Sequence, residues 1–328
     1  RALLGHLLLG RLIRLLRRAQ RHAVLRAAFR WDAFGEPLRE IHSAAPVSLR
    51  QLDWSHMPPA EREARLAAYL QTDRQRGFEL TQPPLLRLTL IRFGTADYEL
   101  VWTFHHILLD GRSFPLVLRD LFALYDGAAR GSHPDQESVS PYQEHIERLL
   151  RRSVPGEQQF WRERLSGFAA PTPLALGAPR SAPTLLTERF GQHELRLSAD
   201  VTASLARVCR ERGFSLSTCV QGAWSILLGR YSGEEDVVFG SVRACRDSTS
   251  EAVAGMFMNL IPLRTRIHDA MPVYVWLQQL RAEQRAVGDY EHARLADVQS
   301  WSDLPRGTPL FESILVYDHE SLDSQMHR

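Results

Sequence analysis

The chain has 328 residues, 44% of them hydrophobic, enough to bury one large core or two smaller ones. Acidic and basic side chains nearly cancel, at a net charge of +2, which argues against a dedicated nucleic-acid binder. No lysine occurs, so every such cation is arginine; this excludes a phosphate-loop lysine, a pyridoxal Schiff base and a lysine nucleophile.

Residues 3–9 form an apolar run that Gly10 and Arg11 cut short of the roughly 20 residues a membrane span requires. Arg11, Arg14, Arg17, Arg18 and Arg21 then recur at near-helical spacing. Such a basic helix could lie on a membrane; the reading taken is a core strand followed by a helix with a solvated basic face. Nothing resembles a signal peptide, and the expected location is the cytoplasm. Residues 85–93 alternate as a strand, with Leu86, Leu88 and Leu90 on one face. A turn at residues 94–97 returns the chain through a second strand at 98–104, where Leu100, Trp102 and Phe104 share a face.

At the end of that strand stands His105-His106-Ile107-Leu108-Leu109-Asp110-Gly111, an HHxxxDG sequence. Imidazole is the side chain best suited to moving protons near neutral pH. Adjacent strand residues point to opposite faces, so one histidine is expected to be chemical and the other structural. The alternation gives His106 the parity of Leu100, Trp102 and Phe104. Asp110 can hold a loop or ring in place, and Gly111 allows backbone angles that other residues resist.

After the motif, Leu118, Leu121, Phe122 and Tyr125 predict a helix closed near Gly127. Further helices are expected through Tyr142, Ile146, Leu149 and Leu150, and through Phe160, Trp161 and Leu165. Residues 169–183, rich in Ala, Pro and Gly, read as a linker. Beyond it come a strand at 190–197, a helix capped by Ser198, a helix capped by Ser217, a strand at 236–242, a helix at 273–287 and a closing strand at 311–317. Trp161, Trp224 and Trp276 fall on helical stripes and are expected in the core. Cys209, Cys219 and Cys245 are too few and scattered for a disulfide framework or a zinc knuckle, and the first two sit at apolar helix positions.

The HHxxxDG motif resembles the signature of nonribosomal peptide synthetase condensation domains, within the wider chloramphenicol-acetyltransferase-like acyltransferases. Other segments resemble the same family in the same order: residues 21–29 (RHAVLRAAF), residues 141–145 (PYQEH) followed by Phe160-Trp161, residues 255–260 (GMFMNL, a GxFxN pattern) and residues 306–312 (RGTPLFE). The resemblance covers nearly the whole chain. It departs in lacking a recognisable first motif, in a compressed spacing between Arg246 and Gly255, and in a length below that of typical members.

The resemblance implies an α/β fold of two chloramphenicol-acetyltransferase-like lobes, arranged as a V-shaped pseudo-dimer around a central tunnel. The expected division is residues 1–168, a linker at 169–183, and 184–328. The implied activity joins a donor acyl thioester to an acceptor amine, or a hydroxyl, both carried on phosphopantetheine arms of carrier proteins. His106 is the implied base or positioning group, with His105, Asp110 and Gly111 completing the motif. Asp110 is expected to be structural, paired with the family's arginine after the VVFG strand, which is Arg246 or, on a looser alignment, Arg243. Asn259 could donate to a carbonyl oxygen or pin a neighbouring loop. Ser113 is retained after DG, whereas Arg112 replaces the usual tryptophan, facing either the channel mouth or solvent. Leu108-Leu109 resembles domains that take a D-configured or starter donor.

No metal, nucleotide or redox cofactor is indicated, and no nucleic-acid or membrane partner. The expected form is a monomeric domain, alone or within a multidomain synthetase. Competing readings are a stand-alone coenzyme A acyltransferase, an epimerisation domain, and a catalytically silent module that recruits carriers. Heterocyclisation is disfavoured because that subfamily replaces the histidines with aspartates.

Overall fold

The computed structural model describes residues 22–31, 37–130, 142–174 and 191–318. The expected strand and basic helix near the start therefore lie outside the described residues. Contacts divide the chain into two compact units. The first comprises Arg1–Arg152, Arg246–Phe257 and Glu320–Arg328; the second comprises Ser153–Cys245 and Met258–His319. The change of unit thus falls ahead of the expected linker. The reason is the helix Glu157–Leu165, whose Trp161 and Leu165 are fully buried in one cluster with Val238 and Ile261 of the second unit.

In the first unit a short antiparallel pair, β1 (Ala27–Arg30) and β2 (Leu38–Ile41), precedes a three-stranded sheet. Its middle strand, β4 (Leu86–Arg92), runs parallel to β3 (Leu49–Asp53) and antiparallel to β5 (Tyr98–Phe104). Alternation predicts one buried face of β4, but both are covered. Leu86 and Leu88 pack with Val117, Leu121 and Leu124 of the second helix of this unit, Ser113–Ala129. Ile91 packs with Trp54, against which Leu66 and Tyr69 of α1 (Pro59–Gln75) rest. The Tyr69 hydroxyl also meets buried Thr89 Oγ1 at 2.7 Å. A central strand covered on both sides loses the period-2 signature.

The helix Ser113–Ala129, α2, buries Leu121 as expected and packs Tyr125 on the same core, but its other buried positions are Val117 and Leu124, and Phe122 is exposed. Its rotation is set by its first turn, where buried Ser113 Oγ donates to the Gly255 carbonyl and accepts from the Gly255 N–H. At the start of the described chain, buried His22 bonds through Nε2 to Asp120 Oδ2 of the same helix, at 2.8 Å. Helix α3 (Tyr142–Arg151) completes the elements of this unit.

The second unit is built on β6 (Asp236–Ala244), antiparallel to β7 (Met258–Arg266) on one side and parallel to the short β8 (Ile314–Leu315) on the other. Successive Val237, Val238 and Phe239 are all buried, because β6 also is covered on both faces. Val238 joins the core beside α4 (Glu157–Leu165) and α8 (Leu295–Trp301). Val237 and Phe239 join the core of α5 (Ala199–Arg212), α6 (Leu216–Ser232) and α7 (Val273–Gly288). Trp161 and Trp276 are buried, and Trp224 is partly so.

In this unit the structure departs from expectation at three places. Residues 191–198 form no strand, and the closing strand shrinks to Ile314–Leu315. Ser198 caps α5 through the Val201 N–H, but α6 is capped by Ser215, which accepts from the Thr218 N–H, and Ser217 lies inside the helix. Capping is decided by the first residue with extended backbone, which here is two positions earlier than the hydrophobic periodicity suggests. No helix among the described residues is long and apolar enough to cross a membrane.

Candidate active site

The site begins where β5 runs out. The His105 N–H donates to the Leu85 carbonyl at 2.9 Å, and the chain then enters a turn. His105 Nδ1 accepts from the Ile107 N–H at 3.1 Å, and its ring stands edge-on to Phe78, with 6.3 Å between centroids. Burial, followed by the neighbouring His106, holds the His105 imidazole below its ordinary range. A neutral ring with its lone pair on Nδ1 fits that acceptor role. His105 is thereby committed to the turn, whereas the His106 side chain is exposed. Leu108 and Leu109, both fully buried in the core, anchor the turn from below. Their contacts are with the core, so any influence on donor type would be indirect.

Asp110 is buried and accepts from every side. Oδ1 takes the Arg112 N–H at 3.1 Å and the Ser113 N–H at 2.7 Å; Oδ2 takes the Phe257 N–H at 3.0 Å. The Arg246 guanidinium closes on both oxygens, at 3.1 and 3.3 Å through Nη2. Each side chain is only 4% exposed, so the pair is sequestered from water. Arg246 also donates to the Ser113 hydroxyl and, through Nη1, to the carbonyls of Ser250 and Val253 at 2.7 and 3.0 Å. Its guanidinium lies 3.9 Å from the centroid of the Phe257 ring. Burial lowers the Arg246 pKa and Asp110 opposes the shift.

Of the two candidate arginines, Arg246 therefore occupies the place beside Asp110. Arg243 is engaged in the second unit, where Nε meets Glu291 Oε2 at 3.2 Å and Nη2 donates to the Gln284 carbonyl. Asn259 Nδ2 donates to the carbonyls of Glu291 and Ala293, at 2.7 and 2.8 Å. Both residues thus hold the turn after α7. Asn259→Ala is expected to destabilise the second unit by about 1–3 kcal/mol, since two carbonyls lose their donor. Asn259→Asp should cost more, because a carboxylate would face both carbonyl oxygens; urea unfolding of the two variants checks the order.

Gly111 departs from expectation. Its backbone is not left-handed, and an added Cβ would meet nothing within 4 Å. The turn therefore does not require glycine there. Arg112 is exposed, its N–H serving Asp110.

Gly255 does have a steric reason. A Cβ there would overlap the Tyr142 ring. Tyr142 cannot easily yield: its hydroxyl donates to the Met256 carbonyl, its ring meets Phe257 edge-on with centroids 5.0 Å apart, and the Arg39 guanidinium lies 4.4 Å from its centroid. Gly255→Ala is expected to cost about 1–3 kcal/mol through overpacking. Faster amide exchange across residues 246–257 than in wild type would report it. Tyr142, Phe257 and Arg39 are the residues that sequence reasoning missed as parts of the site. Tyr142 and Phe257 fall inside recognised segments, which is the only signal that could have found them.

Solved structures share this fold. In a crystal structure of a four-domain nonribosomal peptide synthetase bound to AMP and glycine, the match has a TM-score of 0.79 at 19% identity, over 95% of this chain and 24% of that one. The X-domain from teicoplanin biosynthesis matches with a TM-score of 0.76 at 26% identity, over 93% of this chain and 69% of that one. The condensation-domain family matches residues 15–327, and the chain belongs to it. Among curated relatives, a linear gramicidin synthase of Brevibacillus parabrevis is 40% identical over 93% of this chain. Chondramide synthase of Chondromyces crocatus is 35% identical over 94%. The chain spans only 6% and 8% of the lengths of those two relatives.

Proposed function

We propose that this domain forms an amide between a donor acyl or peptidyl thioester and an acceptor amine, each carried on the phosphopantetheine arm of a carrier protein. Attack of the amine nitrogen on the thioester carbonyl forms the carbon–nitrogen bond and an oxyanion. Collapse breaks the carbon–sulfur bond, and the nitrogen's proton ends on the departing thiol. His106 is the group proposed to take or orient that proton. The observation that carries this reading is the division of labour in the motif: His105 and Asp110 are consumed by the turn, while the His106 ring is left exposed at the strand end. Asp110, Arg246 and Ser113 are positioning residues for the turn.

An acyltransferase acting as a domain of a larger synthetase accords with the two relatives, both synthases far longer than this chain. The two-lobed V with a tunnel admitting one arm from each side is part of the same reading and rests on the family resemblance. A hydroxyl acceptor, giving an ester, would use the same residues.

The test is intact-protein mass spectrometry of carriers loaded with a panel of acyl donors and aminoacyl acceptors, mixed with the domain. An acceptor carrier heavier by the acyl group is the expected product. Carrier binding without product from any pair would favour a recruiting module instead.

A further inference from the structure

We infer that Cys245, Glu291 and His292 form a binding site for a zinc-class divalent cation in the second unit. Cys245 follows the last residue of β6, and Glu291 and His292 lie in the turn after α7. One donor atom from each (a thiol sulfur, a carboxylate oxygen and an imidazole nitrogen) lies within 4.8 Å of the other two. Small side-chain adjustments bring such a set to the roughly 2.0–2.3 Å metal–ligand distances that zinc takes. The long stretch of chain between Cys245 and Glu291 hides the cluster from any spacing rule applied to the sequence.

The backbone carrying these donors is held independently of any ion. The Asn259 amide grips the carbonyls of Glu291 and Ala293, on either side of His292. Cys245 Sγ lies 3.6 Å from the Glu291 carbonyl oxygen and 3.9 Å from that of Arg243. Glu291 also lines a cavity of about 250 Å³, with Ser217, Gln221, Ser241, Arg243 and Tyr317. Preorganised donors and a supporting hydrogen-bond layer are what a metal site needs beyond its ligands.

Donor chemistry selects the ion. Sulfur and imidazole nitrogen disfavour calcium and magnesium, which take oxygen, and suit zinc or cobalt(II). Three protein ligands leave a fourth position for water. One opposing factor is Arg243, already 3.2 Å from Glu291 Oε2. A carboxylate has two oxygens, so Arg243 can retain Oε2 while Oε1 turns to the metal. Binding forms a metal–sulfur bond and releases the Cys245 thiol proton to solvent, with no change of oxidation state.

The full chain, treated with chelator and dialysed, is titrated with Co²⁺ and then with Zn²⁺. The expected result is a thiolate-to-cobalt charge-transfer absorption that saturates at one equivalent and is bleached by Zn²⁺. Cys245→Ser should abolish it, His292→Ala should weaken Co²⁺ binding at least tenfold, and Cys209→Ser/Cys219→Ser should leave it intact. Absence of the band in wild type, or its survival in Cys245→Ser, overturns the site. Should Cys245→Ser fail to fold, His292→Ala decides: unchanged cobalt affinity in a variant with native circular dichroism overturns the site equally.

Discussion

His106→Ala is expected to lower the rate of product formation by about 10²–10⁴-fold, the range that a positioned acid–base group supplies. The folded protein should be untouched, because the His106 side chain is exposed while its neighbours Leu108 and Leu109 carry the packing. Thermal unfolding within a degree or so of wild type, beside a rate loss of that size, would place the defect in chemistry. His106→Gln refines the test, since an amide can orient an amine but cannot take its proton. Recovery by glutamine to within tenfold of wild type would assign His106 to positioning. Equal rates for wild type and His106→Ala would remove it from the mechanism altogether.

The second large effect is expected at the buried ion pair. Asp110→Ala leaves the Arg246 guanidinium without its carboxylate, strips the N–H groups of Arg112 and Phe257 of their acceptor, and leaves the Ser113 N–H only the residue-110 backbone carbonyl. Breaking a sequestered pair from one side typically costs about 3–5 kcal/mol. Arg246→Ala should cost a similar amount, because it also frees the carbonyls of Ser250 and Val253. The double variant should fall well short of the sum, since it leaves no lone buried charge. Urea unfolding, with amide exchange over residues 110–117 and 246–257, measures the three variants. Additive losses would show that the two side chains act separately. Activity is expected to fall with all of them, which is why loss of turnover in an Asp110 variant alone does not establish a chemical role for the carboxylate.

Much of the fold was readable from residues in order. Tyr98–Phe104 announced itself by alternation, and α7 matches the helix expected at 273–287. HHxxxDG drew attention because its residue types have no ordinary core role at a strand end. Periodicity failed where burial came from two sides at once. Thr89 and Ile91 of β4 are covered by a second cluster around Trp54, which no period-2 pattern reports. It failed also at α2, where tertiary hydrogen bonds from Ser113 to Gly255 fixed the helix rotation and turned Phe122 outward. The cap of α6 slipped by two residues because Ser215 and Ser217 offer the same hydroxyl, and only backbone conformation distinguishes them.

Residue order was enough for the family and its motif, because these depend on residue types at short fixed offsets. Their partners came from the folded chain. Asp110 and Arg246 are 136 positions apart, and either Arg243 or Arg246 satisfied the local pattern; burial of one guanidinium against Phe257 made the choice. The same holds for Tyr142 beneath Gly255, and for Cys245 beside Glu291 and His292. Pairings of this kind depend on distance in space, which loop closure and core packing set together and no local spacing encodes.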